Sequence, residues 1–295
     1  MLKRLFLVLF LLLIGLSAAL AQPRVVSTIL PIHSLTASIM NGVAEPELLI
    51  PAWSSPHDWN LRPSQRRNLQ QADLIIWTSE SLESFMPHLL KGIPESVHDL
   101  ELVSLPDLDL IQDEHPHHGQ EEHSIDPHLW LDPQQASLIA TSISNTLSQI
   151  DPTNARHYQA NLDTLRKRLA QLDTEIEQAT SSLKGVPFIV YHDAYGYFIR
   201  RYDLNQAGEV TLIAHQQPGA RHLLALRRQI VDDSIRCLFT EPQFEPAIVQ
   251  NLIEGTEVVR AELDPIGSAL EPGPEAYFLL MQTLTANLSA CLTRD

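Results

Sequence analysis

Between Asp113 and Pro133 the chain reads DEHPHHGQEEHSIDPHLWLDP, which places five of its thirteen histidines (His115, His117, His118, His123 and His128) among acidic residues. A tract of this kind is either a solvated loop or a place for metal-ion chemistry, because neutral imidazole ligates Zn²⁺ and its borderline neighbours. His128 stands apart from the other four, where the tract meets the apolar Leu129-Trp130-Leu131. Other polar residues fall at the carboxyl ends of apolar runs: His57 beyond Pro46–Pro51, His192 after Phe188–Tyr191, Glu241 after Arg236–Thr240 and Asp264 after Val258–Leu263. Three imidazoles plus one carboxylate or water suit tetrahedral Zn²⁺. Asp58, Asp126 and Asp193 stand beside the three histidines as acceptors that could orient the rings.

The elements needed to gather such residues are short apolar strands alternating with helices. Val25–Leu30, Pro46–Pro51, Asp73–Thr78 and Leu100–Leu105 read as strands of a first half, and Phe188–Tyr191, Glu209–Ala214, Arg236–Thr240 and Val258–Leu263 as strands of a second. This alternation predicts an α/β fold of two βα lobes with parallel sheets. In such sheets ligands bind at the carboxyl ends of strands, so two facing lobes could unite residues roughly 65–70 positions apart, the spacing of 57, 128, 192 and 264. Between the halves, Tyr158, Leu162, Leu165, Leu169, Leu172, Ile176, Ala179 and Leu183 recur every three or four residues. They predict one long rigid helix over 151–184, linking an amino-terminal lobe (22–150) to a carboxyl-terminal one (185–295). A coiled-coil dimer is the other reading of the same stripe; with the helix as an internal spine, a monomer is expected.

Composition narrows the class. At 295 residues, 44% hydrophobic and 19% charged, the chain is globular and long enough for two domains. A net charge of −16 argues against nucleic acid or an anionic membrane surface as partner and is compatible with attracting cations. Lys3 and Arg4, the apolar Leu5–Leu16 and Ala19-Leu20-Ala21 predict a signal peptide over 1–21; a membrane anchor is opposed by the shortness of the run. With no Cys beside the expected cleavage position, an unlipidated, unanchored periplasmic protein is expected. Cys237 and Cys291 would then meet an oxidising compartment, where a bridge would contribute about 3–5 kcal/mol; two buried free thiols are the alternative.

Several motifs carry a resemblance: SPHDWNLRPS (Ser55–Ser64), ADLIIW (Ala72–Trp77), DPHLWLDP (Asp126–Pro133), YHDAYGYF (Tyr191–Phe198), Glu241-Pro242-Gln243-Phe244 and Leu263-Asp264-Pro265-Ile266-Gly267. In this order, across nearly all of the chain beyond residue 22, they resemble the zinc-specific substrate-binding proteins of ABC importers. The resemblance implies two lobes joined by a long helix, with metal between them held by His57, His128 and His192. Manganese-type relatives usually have Glu where His192 stands, which points to zinc. Asp264 matches a position that supplies a carboxylate in several members, and Glu241 is expected to be structural or to orient a ligand. Where some zinc members have an acidic residue before the first histidine, this chain has Pro56, so the fourth ligand is expected to be Asp264 or water. The four remaining tract histidines resemble the family's His-rich loop and imply a weaker accessory site.

The resemblance implies a receptor that hands Zn²⁺, its transported ligand, to a membrane permease. No Walker motif is present, so ATP hydrolysis belongs elsewhere, and an enzyme is not expected. The alternatives are a periplasmic zinc hydrolase, opposed by the absence of HExxH and of a nucleophile elbow, and a stand-alone metal buffer with the same ligands.

Overall fold

Val25 and Val26 form strand β1 (Val25–Ser27), and Pro31 turns the chain directly into helix α1 (Leu30–Met40), where its missing N–H costs nothing in the first turn. The computed structural model describes residues 22–112, 125–211, 218–243 and 247–294. The expected signal peptide (1–21) and His115, His117, His118 and His123 lie outside the described residues. The alternation continues with β2 (Glu47–Leu48), α2 (Pro63–Leu69), β3 (Leu74–Trp77), α3 (Met86–Leu90) and β4 (His98–Glu101). Two long helices follow, α4 (Pro133–Ile150) and α5 (Ala155–Thr180). The second half runs β5 (Pro187–His192), α6 (Gly196–Tyr202), β6 (Asn205–Thr211), α7 (Ala220–Asp232), β7 (Cys237–Thr240), α8 (Ala247–Ile253), β8 (Val259–Glu262) and α9 (Ala276–Leu292).

The strands form two four-stranded sheets of the same order, β2-β1-β3-β4 and β6-β5-β7-β8, parallel throughout. This is the expected α/β architecture with parallel sheets. In each sheet the strand order reverses beside the first strand, between β1 and β3 and between β5 and β7, and such a switch point leaves a crevice at the carboxyl ends. Leu74-Ile75-Ile76-Trp77 is buried along its whole length, as a central parallel strand covered on both faces must be.

Helix α5 is shorter than the stretch read as helical. It ends at Thr180, and Leu183, although buried, lies in the turns beyond it. The stripe also drifts by one residue: Ala179 is exposed and Thr180 is buried, its hydroxyl donating to Ile176 O at 2.8 Å. A 3.6-residue period carries the apolar face from Ile176 to position 180, so the alternating count of three and four fails in the last turn. The face packs on α1, α4 and α9, so the stripe is consumed within the chain.

One hydrophobic cluster contains Val26 and Ile75 of the first sheet, Phe188 and Phe239 of the second, Leu165 and Leu172 of α5 and Met281 of α9. A smaller cluster, with Ile189, Val210, Leu238 and Leu252, covers the other face of the second sheet. Cys237 and Cys291 form a disulfide with Cα atoms 6.2 Å apart, tying the start of β7 to α9. No helix among the described residues is long and apolar enough to cross a membrane.

Candidate metal centre

His192 is the last residue of β5, and Glu241 follows the end of the adjacent strand β7. Parallel pairing therefore sets the two side by side at the switch point, where His192 Nδ1 donates to Glu241 Oε1 at 2.5 Å. Both residues are 4% exposed. His128 is held differently, as the residue entering a 3₁₀ turn (Leu129–Leu131) whose three apolar side chains are fully buried and anchor it. Asp126 Oδ1 accepts both the His128 backbone N–H at 2.9 Å and the ring Nδ1–H at 2.8 Å. His57, only half-buried, comes from the loop between β2 and α2, where Ser54 N–H donates to Pro51 O at 2.9 Å.

These three imidazoles converge. Each offers one ligand atom, and these atoms all lie within 4.8 Å of one another. The ring centroids are 6.0 Å apart for His57 and His128, 5.9 Å for His57 and His192, and 5.5 Å for His128 and His192. The rings line a half-open pocket together with Leu82, Pro265 and Ile266, with room for a water-sized guest.

The carboxylates settle which ring nitrogen carries hydrogen. A carboxylate only accepts, so Asp126 and Glu241 fix the Nδ1–H tautomers of His128 and His192 and leave each Nε2 lone pair as the ligand atom. Burial alone would push the His192 ring below the ordinary histidine value, but the charge and hydrogen bond of Glu241, with the charges of Asp193 and Asp126, outweigh it and raise the ring's pKa. A group of three nitrogen donors without a carboxylate suits Zn²⁺ better than the oxygen-seeking Mn²⁺, Mg²⁺ or Ca²⁺.

Asp264, expected with water as one of two candidates for the fourth ligand, lies outside this group of three. Its carboxylate caps the turn after β8: Oδ1 accepts from the N–H of Ile266 at 3.1 Å and of Gly267 at 3.0 Å, and Oδ2 from the N–H of Ser268 at 2.5 Å and its hydroxyl at 2.7 Å. Gly267, at φ +77°, allows the chain to fold back over that carboxylate. Among the expected orienting groups, Asp126 takes the role. Asp193 accepts from Gln206 Nε2 at 3.0 Å. Sequence reasoning missed the residues that bind the two halves around the centre. Trp130 Nε1 donates to Pro265 O at 2.7 Å and Tyr277 donates to Trp130 O at 2.8 Å, both across the halves, and Tyr195 donates to Leu263 O at 2.9 Å within the second. Their partners are backbone carbonyls, which leave no mark in a sequence.

The model of a family described as zinc-uptake complex component A, periplasmic, matches residues 25–291. The chain is 30% identical to the high-affinity zinc uptake system protein ZnuA of Brucella suis over 95% of each chain, and 33% identical to that of Yersinia pestis over 92% of each. Its fold is similar to a crystal structure of ZnuA, with a TM-score of 0.81 and 22% identity over 92% of this chain and 100% of the other. It is also similar to the laminin-binding protein Lmb of Streptococcus agalactiae, with a TM-score of 0.80 and 21% identity over the same shares. The chain belongs to the family of zinc-uptake complex component A periplasmic proteins.

Proposed function

We propose that this chain is a periplasmic receptor that binds one Zn²⁺ through His57, His128 and His192 and delivers it to the membrane permease of an ABC-type importer. Water fills the fourth coordination position, since the Asp264 oxygens are taken up by their own turn. The observation that carries this reading is the convergence of three imidazoles from three distant segments on one pocket. Two of those rings are preset in the ligand tautomer by buried or half-buried carboxylates. The segments 22–150 and 185–295 act as the two lobes around the ion, with 151–184 as the spine between them. The residues 1–21 direct export, and the protein works as a monomer. The four histidines of the tract at 113–124 bind further Zn²⁺ more weakly.

Calorimetric titration of the purified mature protein with Zn²⁺ and with Mn²⁺ tests this. The expected result is a tight Zn²⁺ event, absent in His57→Ala and retained in Asp264→Ala, which instead loses thermal stability. Deleting 113–124 should remove only a weaker, later event. Wild-type zinc affinity in His57→Ala would refute the site, and loss of binding in Asp264→Ala at full stability would restore that carboxylate as a ligand.

A further inference from the structure

The YHDAYGYF stretch contains His192, yet two of its other residues, Gly196 and Tyr197, act on His128. Tyr197 lies on α6, five residues past the end of β5, with its side chain fully buried. Its hydroxyl accepts the N–H of Ile111 at 3.0 Å and donates to the carbonyl of Asp126 at 3.1 Å. Those two residues are themselves joined, Asp126 N–H to Ile111 O at 3.0 Å, and the next pair outward, Gln112 and Ile125, forms an antiparallel bridge. Tyr197 thus closes the neck from which 113–124 departs. Arg200, one turn further along α6, secures the segment leading into the neck by donating to Asp109 O at 2.7 Å.

The neck matters because Asp126 orients a ligand. Its Oδ1 holds the His128 ring, while Oδ2 lies against Gly196, where an added Cβ would sit 2.8 Å away. A side chain at 196 would force the carboxylate to turn, and turning it moves the oxygen that fixes the His128 tautomer. The main chain of Asp126 is gripped by Tyr197 and its side chain is confined by Gly196, both from the half of the molecule that carries His192.

We propose that Tyr197 and Gly196 are positioning residues for zinc binding: through Asp126 they lock the His128 imidazole in register with His192 across the cleft. The inference rests on the three-histidine site proposed above. Neither residue touches the ion, and both act through the Asp126–His128 hydrogen bond.

Zinc affinity and dissociation rate, measured by competition with a chromophoric chelator in the full mature chain, test it. Orienting partners of metal ligands are worth about 10–100-fold in affinity, and a group one bond further out is expected near the lower end, so Tyr197→Phe should weaken zinc roughly tenfold. The loss should disappear when Asp126→Asn is already present, because both changes act on one ring. Gly196→Ala, which favours the helix it begins, should weaken zinc without lowering thermal stability. Tyr202→Phe serves as the control: its hydroxyl donates to Asp173 of α5 at 3.1 Å and not to Asp126 or Ile111, and zinc affinity should not change. Wild-type affinity in both Tyr197→Phe and Gly196→Ala, with His57→Ala inactive, would overturn this inference and leave the zinc site standing. Losses that add fully to those of Asp126→Asn would also overturn it. Wild-type affinity in His57→Ala would remove the site and this inference with it.

Discussion

Replacing Glu241 separates its two contributions to His192. Glu241→Gln keeps an oxygen that accepts from Nδ1–H but removes the charge, while Glu241→Ala removes both and leaves that N–H without its acceptor in a buried place. The bond is short, charge-assisted and almost wholly screened from solvent, which puts it in the stronger class of hydrogen bonds. Orienting carboxylates contribute about 10–100-fold to metal affinity, or about 1.4–2.7 kcal/mol. We expect Glu241→Ala near the top of that range at about pH 8, and Glu241→Gln near the bottom.

The pH dependence gives an independent sign. Zinc requires the neutral ring, so protons compete below the ring's pKa. Glu241 raises the pKa of His192 above 6.5 against the opposing effect of burial. Proton competition in the wild type therefore begins at a higher pH than for an ordinary histidine. Without the carboxylate, burial dominates and the ring becomes harder to protonate, so competition begins lower. The advantage of the wild type over Glu241→Ala must then narrow as pH falls from about 8 to about 5.5. Chelator competition across this range measures the ratio directly. A wild-type affinity in Glu241→Ala, or two profiles that stay parallel over the whole range, would refute the reasoning.

Two further predictions concern the frame around the site. Glu83 is completely buried and its carboxyl is pushed up to about 7 from 4.5, chiefly by burial. The folded state keeps this proton where the unfolded chain releases it, so stability should fall by about 3 kcal/mol as pH rises from 4.5 to 7, and Glu83→Gln should flatten that slope in urea titrations. The disulfide closes a sequence separation of 54 residues, worth about 4 kcal/mol by chain entropy. The double change Cys237→Ala and Cys291→Ala should lower the melting temperature and spare zinc affinity, because Cys237 begins β7 while Glu241 lies past its other end.

The fold was legible because each half repeats one device. Apolar runs such as Leu74–Trp77 and Phe188–Tyr191 admit little but a buried strand, and prolines at 31, 63 and 133 mark the starts of helices. The three histidines were legible for a related reason, since each departs from its apolar surroundings. Asp264 departs in the same way, and the sequence leaves its role open. A carboxylate after a strand serves equally as a ligand or as a cap, and the choice turns on backbone N–H groups at 266–268 that the sequence does not display. The pairing of Glu241 with His192 required the order β5-β7, a fact of topology. Gly196 and Tyr197 were hidden more deeply, because one works by lacking a side chain and the other by gripping main chain.

The two sheets share a strand order but use their switch points differently. Between β5 and β7 the crevice holds His192 and Glu241. Between β1 and β3 the same place is filled: the Thr28 hydroxyl donates to Glu83 Oε1 at 2.5 Å, and the N–H groups of Thr78 and Ser79 donate to Oε2 at 3.2 and 3.1 Å. With that place filled, the first half contributes loop histidines, His57 and His128, to the proposed site. His192 is thus carried by a central strand, and the other two ligands by segments with fewer ladder hydrogen bonds. Local opening costs least where backbone hydrogen bonds are sparse. Binding and release of the ion should therefore be paid for at 51–60 and 125–132, while β5 keeps its hydrogen bonds. Hydrogen exchange on zinc-free and zinc-loaded protein should show protection gained on loading at those two segments and little change along Pro187–His192. The opposite distribution, with protection gained chiefly in β5, would show that the strand and not the loops yields when the ion leaves.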